Sequence, residues 1–480
     1  MNIIDLSIFG FYIIGLLAFG YYFHRKNTGG DDYYVGGRNM SSTHIGLSVV
    51  ATDVGGGFSI GLGGLGFVMG LSGSWMLFTG LVGAWLAAVF LIPKIKSDPA
   101  FARAYTFPDV FRHFYSPRVA LVAGIISAIG YAGFTSSQLL AGAKLADGTF
   151  ANLDLNTALL IMGLVAVIYT VMGGLKAVIY TDTVQWIILM AGLIFVGLPF
   201  SYSAIGGMEA IRASVEPEML TLTNITWQEL VYWAVTIIPI WFVGMTLYQR
   251  IYASRDERTA KRAWYLAGLF EWPVMAFMGV LLGLFARVAA EQGMFDYLGA
   301  AGLDETDPET GLPMLLRTVL PVGLMGIMMA AYFSAILSTA DSCLMASSGN
   351  ITSDIIGHFR RMDYESVSFL RYSQVITLIV GTFSLLLAYS MENVLDLMLY
   401  SYAFMVSGLF VPLIGALYWK GSTPQAAMVA MIIGGGTTIG LQAGVETLPY
   451  QLDPNVFGIS ASALAFIMVN YLTLNKHRQS

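Results

Sequence analysis

The run Ala335-Ile336-Leu337-Ser338-Thr339-Ala340-Asp341-Ser342 gathers hard oxygens in an otherwise apolar stretch. On a helix, Ala335, Ser338, Thr339 and Ser342 recur at i, i+3, i+4 and i+7, so one carbonyl and two or three hydroxyls turn to a common point. Such a low-charge oxygen set suits a monovalent cation, whereas zinc would call for His or Cys. The plainer alternative is that each Ser or Thr bonds back to its preceding turn. Four acids fall within apolar stretches: Asp53, Asp182, Glu271 and Asp341. Each is costly there unless it is partnered or lines a wet path, and a structural acid bonded to hydroxyls or backbone is the other reading of each. No histidine or intramembrane arginine offers a matched partner, so a mobile cation is expected to supply the missing charge.

Two segments are expected to interrupt their helices. In Ala51-Thr52-Asp53-Val54-Gly55-Gly56-Gly57-Phe58-Ser59, three successive glycines weaken a helix already burdened by β-branched neighbours. In Ile237-Ile238-Pro239-Ile240-Trp241-Phe242-Val243-Gly244-Met245-Thr246, a proline and a glycine do the same. The breaks lie roughly 190 residues apart, each in the first stretch of a five-stretch block, as in transporters built from internal repeats. Unwound backbone frees carbonyls and helix ends to hold ions and solute near the bilayer midplane. Close helix packing through glycine is the alternative for either break alone.

The elements that would carry these residues are membrane spans. Of 480 residues, 56% are hydrophobic and 11% charged, against about 25% charged in soluble domains. Apolar stretches fall at 3–23, 44–70, 74–94, 117–146, 155–175, 178–203, 227–250, 263–290, 312–349, 367–389, 393–419, 424–444 and 454–474. These predict thirteen transmembrane helices, with a hinge near Gly70 and Gly73 between the second and third. Basic residues follow the first stretch rather than precede it, unlike a secretory signal. With the N-terminus outside and the C-terminus cytoplasmic, 20 of the 24 Lys and Arg fall at inner loops or inner helix ends, as the positive-inside rule expects. Arg250 is among them; Lys144, Arg212, Arg287 and Arg317 are left near outer ends. A net charge of −6 argues against nucleic acid as a partner. Cys343 alone excludes an internal disulfide framework.

The chain resembles the sodium:solute symporters. The resemblance rests on Asp31-Asp32-Tyr33-Tyr34-Val35-Gly36-Gly37-Arg38, Gly173-Gly174-Leu175-Lys176-Ala177-Val178-Ile179-Tyr180-Thr181-Asp182, Gln249-Arg250, and Ala335 to Ser342. It implies an all-α, LeuT-type fold. Two inverted repeats of five helices (44–203 and 227–419) would follow one extra helix at 3–23 and precede two at 424–474. It also implies a sodium site built from the carbonyls of Ala51, Val54 and Ala335 with the hydroxyls of Ser338 and Thr339. A second sodium site, found in some members, would draw on Asp182, Ser338, Asp341 and Ser342. Solute would sit between the breaks, with Asp53, Phe58, Gln138, Trp241, Thr246, Tyr402 and Phe404 as candidate contacts.

The function so implied is sodium-coupled import of a small organic solute by alternating access, as a monomer in a plasma membrane, here a bacterial inner membrane. Asp53 favours an amino-acid-like or amine solute over a sugar, organic acid or monocarboxylate. A proton-coupled transporter of the same fold is the nearest rival, since a desolvated Asp53, Asp182 or Asp341 could carry a proton. A nutrient sensor would be expected to carry a signalling domain, and this chain ends six residues after its last stretch. An enzyme is not expected, because His24, His44, His113, His358 and His477 all lie at loops or helix ends. A channel would want a filter or rings of like charge.

Overall fold

The computed structural model describes residues 2–26, 33–34, 41–53, 55–150, 153–360, 362–363, 366–445 and 447–479. Every regular element among them is helical. The principal helices are α1 (Ile3–Lys26), α2 (Ser42–Asp53), α3 (Gly56–Met69), α4 (Trp75–Leu86), α5 (Pro117–Thr149), α6 (Leu155–Gly192), α7 (Trp227–Val243) and α8 (Met245–Ala253). They continue as α9 (Glu257–Leu269), α10 (Ala276–Glu291), α11 (Pro308–Val319), α12 (Leu324–Gly349), α13 (Val367–Ala388), α14 (Val394–Tyr418), α15 (Pro424–Gly444) and α16 (Pro454–Gln479). Polar residues set several starts. The side chains of Ser116, Asp154, Thr226 and Thr423 accept from the N–H groups of Val119, Thr157, Glu229 and Ala426, satisfying donors that a helix start leaves orphaned.

Among the described residues, 11 helices are long and apolar enough to cross a bilayer, or 12 when the bent pair α7 and α8 counts as one span. The remaining difference from thirteen lies at Ile60–Lys96, one continuous 37-residue helical stretch. A tight turn at Gly70–Ser74, with Gly70 at φ +70°, divides it where a hinge was expected. Gly174, at φ +65° and ψ 179°, likewise breaks α6 between the fifth and sixth stretches. The ninth stretch needs correction. It is two helices, α11 and α12, parted at Leu320–Gly323, where Gly323 has φ +87°.

The span from Leu324 to Phe359 is the hub: 94% of its most apolar 18 residues are buried, against 22% in the first span, Ile3–Tyr22. It packs on α1, α5, α6 and α13. Asp5 of α1 holds its start, accepting from the N–H groups of Gly323 and Gly326 at 2.7 and 2.9 Å, where the helix dipole favours a carboxylate. Helix α3 lies backbone to backbone on α10. A Cβ added at Gly66 would strike the Val280 carbonyl, and one at Gly283 would strike the carbonyl of Gly63. Lipid gives helices no hydrophobic reason to associate, so such close approach through small residues supplies the attraction.

Asp453 caps α16, accepting from Asn455 N at 2.8 Å, in a loop where Tyr232 and Tyr400 lie near both it and Asp396. Burial pushes its carboxyl up to about 6, so the folded chain holds this proton more tightly than the unfolded one. Stability therefore falls as pH rises from about 4 to about 6 and is level above that. Asp453→Asn keeps a capping acceptor and removes the charge. Near neutral pH it is expected to stabilise the protein by about 1 kcal/mol, after allowance for solvent screening, with no gain near pH 4. Thermal unfolding at the two pH values checks this, and a gain of the same size at both would contradict it.

Candidate functional site

Helix α2 ends at Asp53 and α3 begins at Gly56, so the first break includes Gly55, whose backbone (φ −46°, ψ −165°) is not helical. Thr339 of α12 faces it. Its hydroxyl donates to the Ala51 carbonyl at 3.0 Å and lies 3.5 Å from the carbonyl of Ala335. Three of the five expected cation ligands thus converge from two helices at the break, and Ser338, one residue earlier, is buried. Oxygens held about 2.3–2.6 Å from a calcium-sized ion, which sodium matches, stand at about such separations from each other. The donor set fits a hard monovalent cation. Val54, together with the side chains of Asp53, Phe58 and Asp182, lies outside the described residues.

The expectation that no arginine enters the bundle is wrong. Arg250, placed by hydropathy at an inner helix end, is 0% exposed. Its Nη2 donates to Thr52 Oγ1 at 2.6 Å and Ser342 Oγ at 2.7 Å, with Ser48 Oγ at 3.3 Å; its Nη1 reaches the Thr246 carbonyl at 3.3 Å. One guanidinium therefore ties α2, α8 and α12 together. Ser342 points to this cluster, while its neighbour Asp341 accepts from the Thr170 hydroxyl of α6. Of the second cation set, Ser338 and Ser342 share a face and Asp341 turns to α6.

The second break sits at Gly244 (φ −66°, ψ 113°), where α7 and α8 meet at 40°; Pro239 stays inside α7. Thr246, just beyond, bonds Tyr131 of α5 through its hydroxyl at 3.1 Å and its N–H at 3.3 Å. Gln138 of α5 is 1% exposed, and its Oε1 has no hydrogen-bond partner among the described residues. Tyr402 of α14 stacks edge-on to Phe134 at 4.8 Å. Gln138, Thr246 and Tyr402 are thus gathered around α5. Trp241 is packed elsewhere, against Gly83 of α4 and edge-on to Trp264 at 6.4 Å, and Phe404 lies on Gly435 of α15. Tyr131 and Phe134 were missed, although with Gln138 they recur at i, i+3 and i+7. That spacing would have found them.

The family model for the sodium:solute symporter family matches residues 33–434. The chain belongs to that family. As a sodium:solute symporter it couples movement of a solute to sodium, which is the ion its oxygen-lined break suits. It is 28% identical to the high-affinity proline transporter PutP of Bacillus subtilis over 95% of this chain and 96% of that one. It is 26% identical to the sodium/pantothenate symporter of Escherichia coli over 96% and 94%. A solved structure of a Na+-coupled sialic acid symporter in a substrate-bound outward-open state covers 98% of both chains with a TM-score of 0.79 at 20% identity. The LeuT-type, all-helical symporter fold expected from the motifs is the fold found.

Two of the motifs that mark this symporter family meet in space. Tyr33 packs on Gly174, and its hydroxyl donates to the Val171 carbonyl at 3.4 Å. At the first break a Cβ added to Gly55 would overlap the Thr339 hydroxyl and fall 2.5 Å from Gln138 Oε1. Gly55→Ala is therefore expected to reduce sodium-dependent uptake at least tenfold while the protein remains folded in detergent. Wild-type uptake by that variant would show that the break does not hold the transport site.

Proposed function

We propose that the chain imports a small amino-acid-like solute, of the proline type or an amine, with sodium bound by Ala51, Val54, Ala335, Ser338 and Thr339. The observation that carries this reading is Gly55, which lies against the Thr339 hydroxyl on one side and the Gln138 amide oxygen on the other. Sodium ligand and solute-facing acceptor then share one piece of unwound backbone, so either occupant orders it for the other. The buried acceptor at Gln138 calls for an N–H donor. A protonated amine or imino group supplies one, and Asp53 supplies charge to hold it. Proline transporters among the relatives support the same class. Solute contacts would come from Asp53, Phe58, Gln138, Thr246 and Tyr402, with Trp241 and Phe404 further out.

Each sodium crossing contributes about 2.3 kcal/mol per 100 mV of membrane potential, enough for more than tenfold accumulation of a neutral solute. The two five-helix repeats would be 44–203 and 227–419. The working unit is a monomer in the bacterial inner membrane, N-terminus outside and C-terminus cytoplasmic, which the distribution of Lys and Arg supports. The solute passes without chemical change. The set Asp182, Ser338, Asp341 and Ser342 is the place for a second ion. A sugar or organic acid is the second reading, favoured by the pantothenate relative.

Thermal unfolding of the purified protein in sodium and in potassium, each with amino acids, quaternary amines, sugars and carboxylates, tests the proposal. Proline or a related amino acid should raise the unfolding temperature only in sodium, because ligand held by the native state alone stabilises it. Equal shifts in both salts would point to proton coupling and remove the sodium assignments. A shift with pantothenate or a sugar alone would overturn the solute class and leave the ion site standing.

A further inference from the structure

Three spans end around one cavity of about 590 Å³. Pro117 opens α5, Pro424 opens α15, and His358 stands at the close of the span Leu324–Phe359. A cavity at the level where spans end lies at the headgroup depth of a bilayer. Its lining is basic and apolar at once. Arg118 and His358 come to it from two different elements, and Pro117, Pro424 and Met428 supply apolar wall. None of the described residues that line it is acidic. Asp354, four residues before His358, is held instead by Thr106 at 3.0 Å and Arg112 at 3.2 Å.

The two helix starts add to the positive character. Ser116 and Thr423 cap them, and the prolines that follow have no N–H to give. Arg118 and Gln425, at the second position of each helix, have N–H groups without an intrahelical acceptor, and both residues line the cavity. The neighbouring surface has the same character. Phe359, beside His358, is 77% exposed, as interfacial aromatics are. Lys94 lies over the Tyr418 ring at 5.3 Å, and Lys420 follows just before α15 begins.

We propose that this cavity holds the phosphodiester headgroup of an anionic phospholipid, with its glycerol and first chain carbons along Met428 and the two prolines. Basic pockets between spans at the membrane surface take such headgroups, and the planar fork of an arginine matches phosphate oxygens. The apolar wall favours a lipid over a free phosphate, which would leave that wall uncovered. The lipid joins the end of the hub to α5 and to α15, a helix outside the two proposed repeats, and so braces the C-terminal helices against the transport core. This place is separate from the solute contacts, because Arg118 precedes Gln138 on α5 by about 30 Å of helix.

Thermal unfolding of the delipidated full chain in an uncharged detergent, with phosphatidylglycerol or phosphatidylcholine of the same chains added, tests the proposal. Phosphatidylglycerol is expected to raise the unfolding temperature at concentrations where phosphatidylcholine does not, since ligand held by the native state stabilises it. The double variant Arg118→Gln, His358→Gln loses two charge-assisted contacts and should need at least tenfold more phosphatidylglycerol for a half-maximal shift. Arg118 is exposed and His358 half-buried; should the double variant not fold, Arg118→Glu alone should show the same loss. Lys420→Gln removes an exposed charge outside the cavity and should leave the titration unchanged, which a general attraction between basic protein and anionic lipid would not. Equal shifts with the two lipids, a wild-type titration in either folded cavity variant, or an equal loss in Lys420→Gln would overturn the proposal. A full shift with glycerol 3-phosphate alone would likewise overturn it, by showing that a soluble phosphate ester is the occupant.

Discussion

Thr339→Ala is expected to lower apparent sodium affinity at least tenfold and to leave a folded, membrane-inserted protein. The hydroxyl reaches both the Ala51 carbonyl before the first break and the Ala335 carbonyl of the hub helix. Removing it takes away a cation ligand and the bond that holds those carbonyls in register. A bond to a charged partner is worth roughly 1.5–3 kcal/mol, and each 1.4 kcal/mol is tenfold in affinity. The fold loses about 1 kcal/mol from the same hydroxyl when no ion is bound. That is small for a helix packed on four others. Thr339→Ser is the control, since it keeps the oxygen and loses a methyl group, and Ser338→Ala should act in the same direction as Thr339→Ala. Sodium titrations of solute-dependent stabilisation read all three. Wild-type affinity in both alanine variants would remove the sodium site from this break.

Much of this site was legible because it is written in backbone chemistry. Glycine weakens a helix and tolerates backbone outside it, so Gly55 and Gly244 announced both breaks, whereas Pro239 stays inside α7. Helical spacing announced the oxygen face of α12. Hydropathy read along the chain was less able to report depth. Arg250 ends an apolar stretch and so looked like an inner-end residue. In three dimensions the 40° bend at Gly244 turns α8 across the bundle, and its last turns are covered by α2 and α12. Burial was set by neighbours distant in sequence, about which a linear pattern says nothing.

The same reasoning explains the ninth stretch. Its apolar run continues through Leu315, Leu316, Val319 and Leu320, so hydropathy joined what the backbone divides. The signal was present in Pro321 and Gly323, a turn pair. The break at Trp272, with extended angles (φ −134°, ψ 124°) beside buried Glu271, was likewise announced by Pro273. Lys144 is the case with no local signal. The sequence reading places it at an outer end; in the structure it lies near the end of α5, and what hides it is α11, a helix supplied by a segment more than a hundred residues later.

That burial sets the largest stability effect. Lys144, 3% exposed, bonds Glu309 Oε2 and Asp307 Oδ2 at 2.7 Å each. Glu309 in turn accepts from the N–H groups of Val394 and Leu395 at 3.0 Å, capping α14, while its Cγ lies against Gly64 of α3. One carboxylate thus joins α3, α5, α11 and α14. Glu309→Ala leaves two helix-start donors without their acceptor and a buried ammonium with only Asp307, which is 40% exposed. Breaking a buried pair from one side costs about 3–5 kcal/mol; the surviving Asp307 contact puts the expected loss near the lower figure, about 3 kcal/mol. Lys144→Ala should cost a similar amount, because it leaves two acids facing each other. The double variant should lose clearly less than the two single losses together, since each removes the charge the other orphans. Thermal unfolding of the three variants checks this, and strictly additive losses would mean that the pair is not coupled. Transport adds a second reading. Helix α11 lies over α3 at this end, with Leu312 on Gly63 and Gly311 on Phe67, and in the proposed import cycle a solute entering from this side would part them. Glu309→Gln keeps the shape and drops the charge. It is therefore expected to favour the arrangement open at this end, raising solute affinity measured from that side while slowing the return step, because the open state no longer competes with a closed ion cluster.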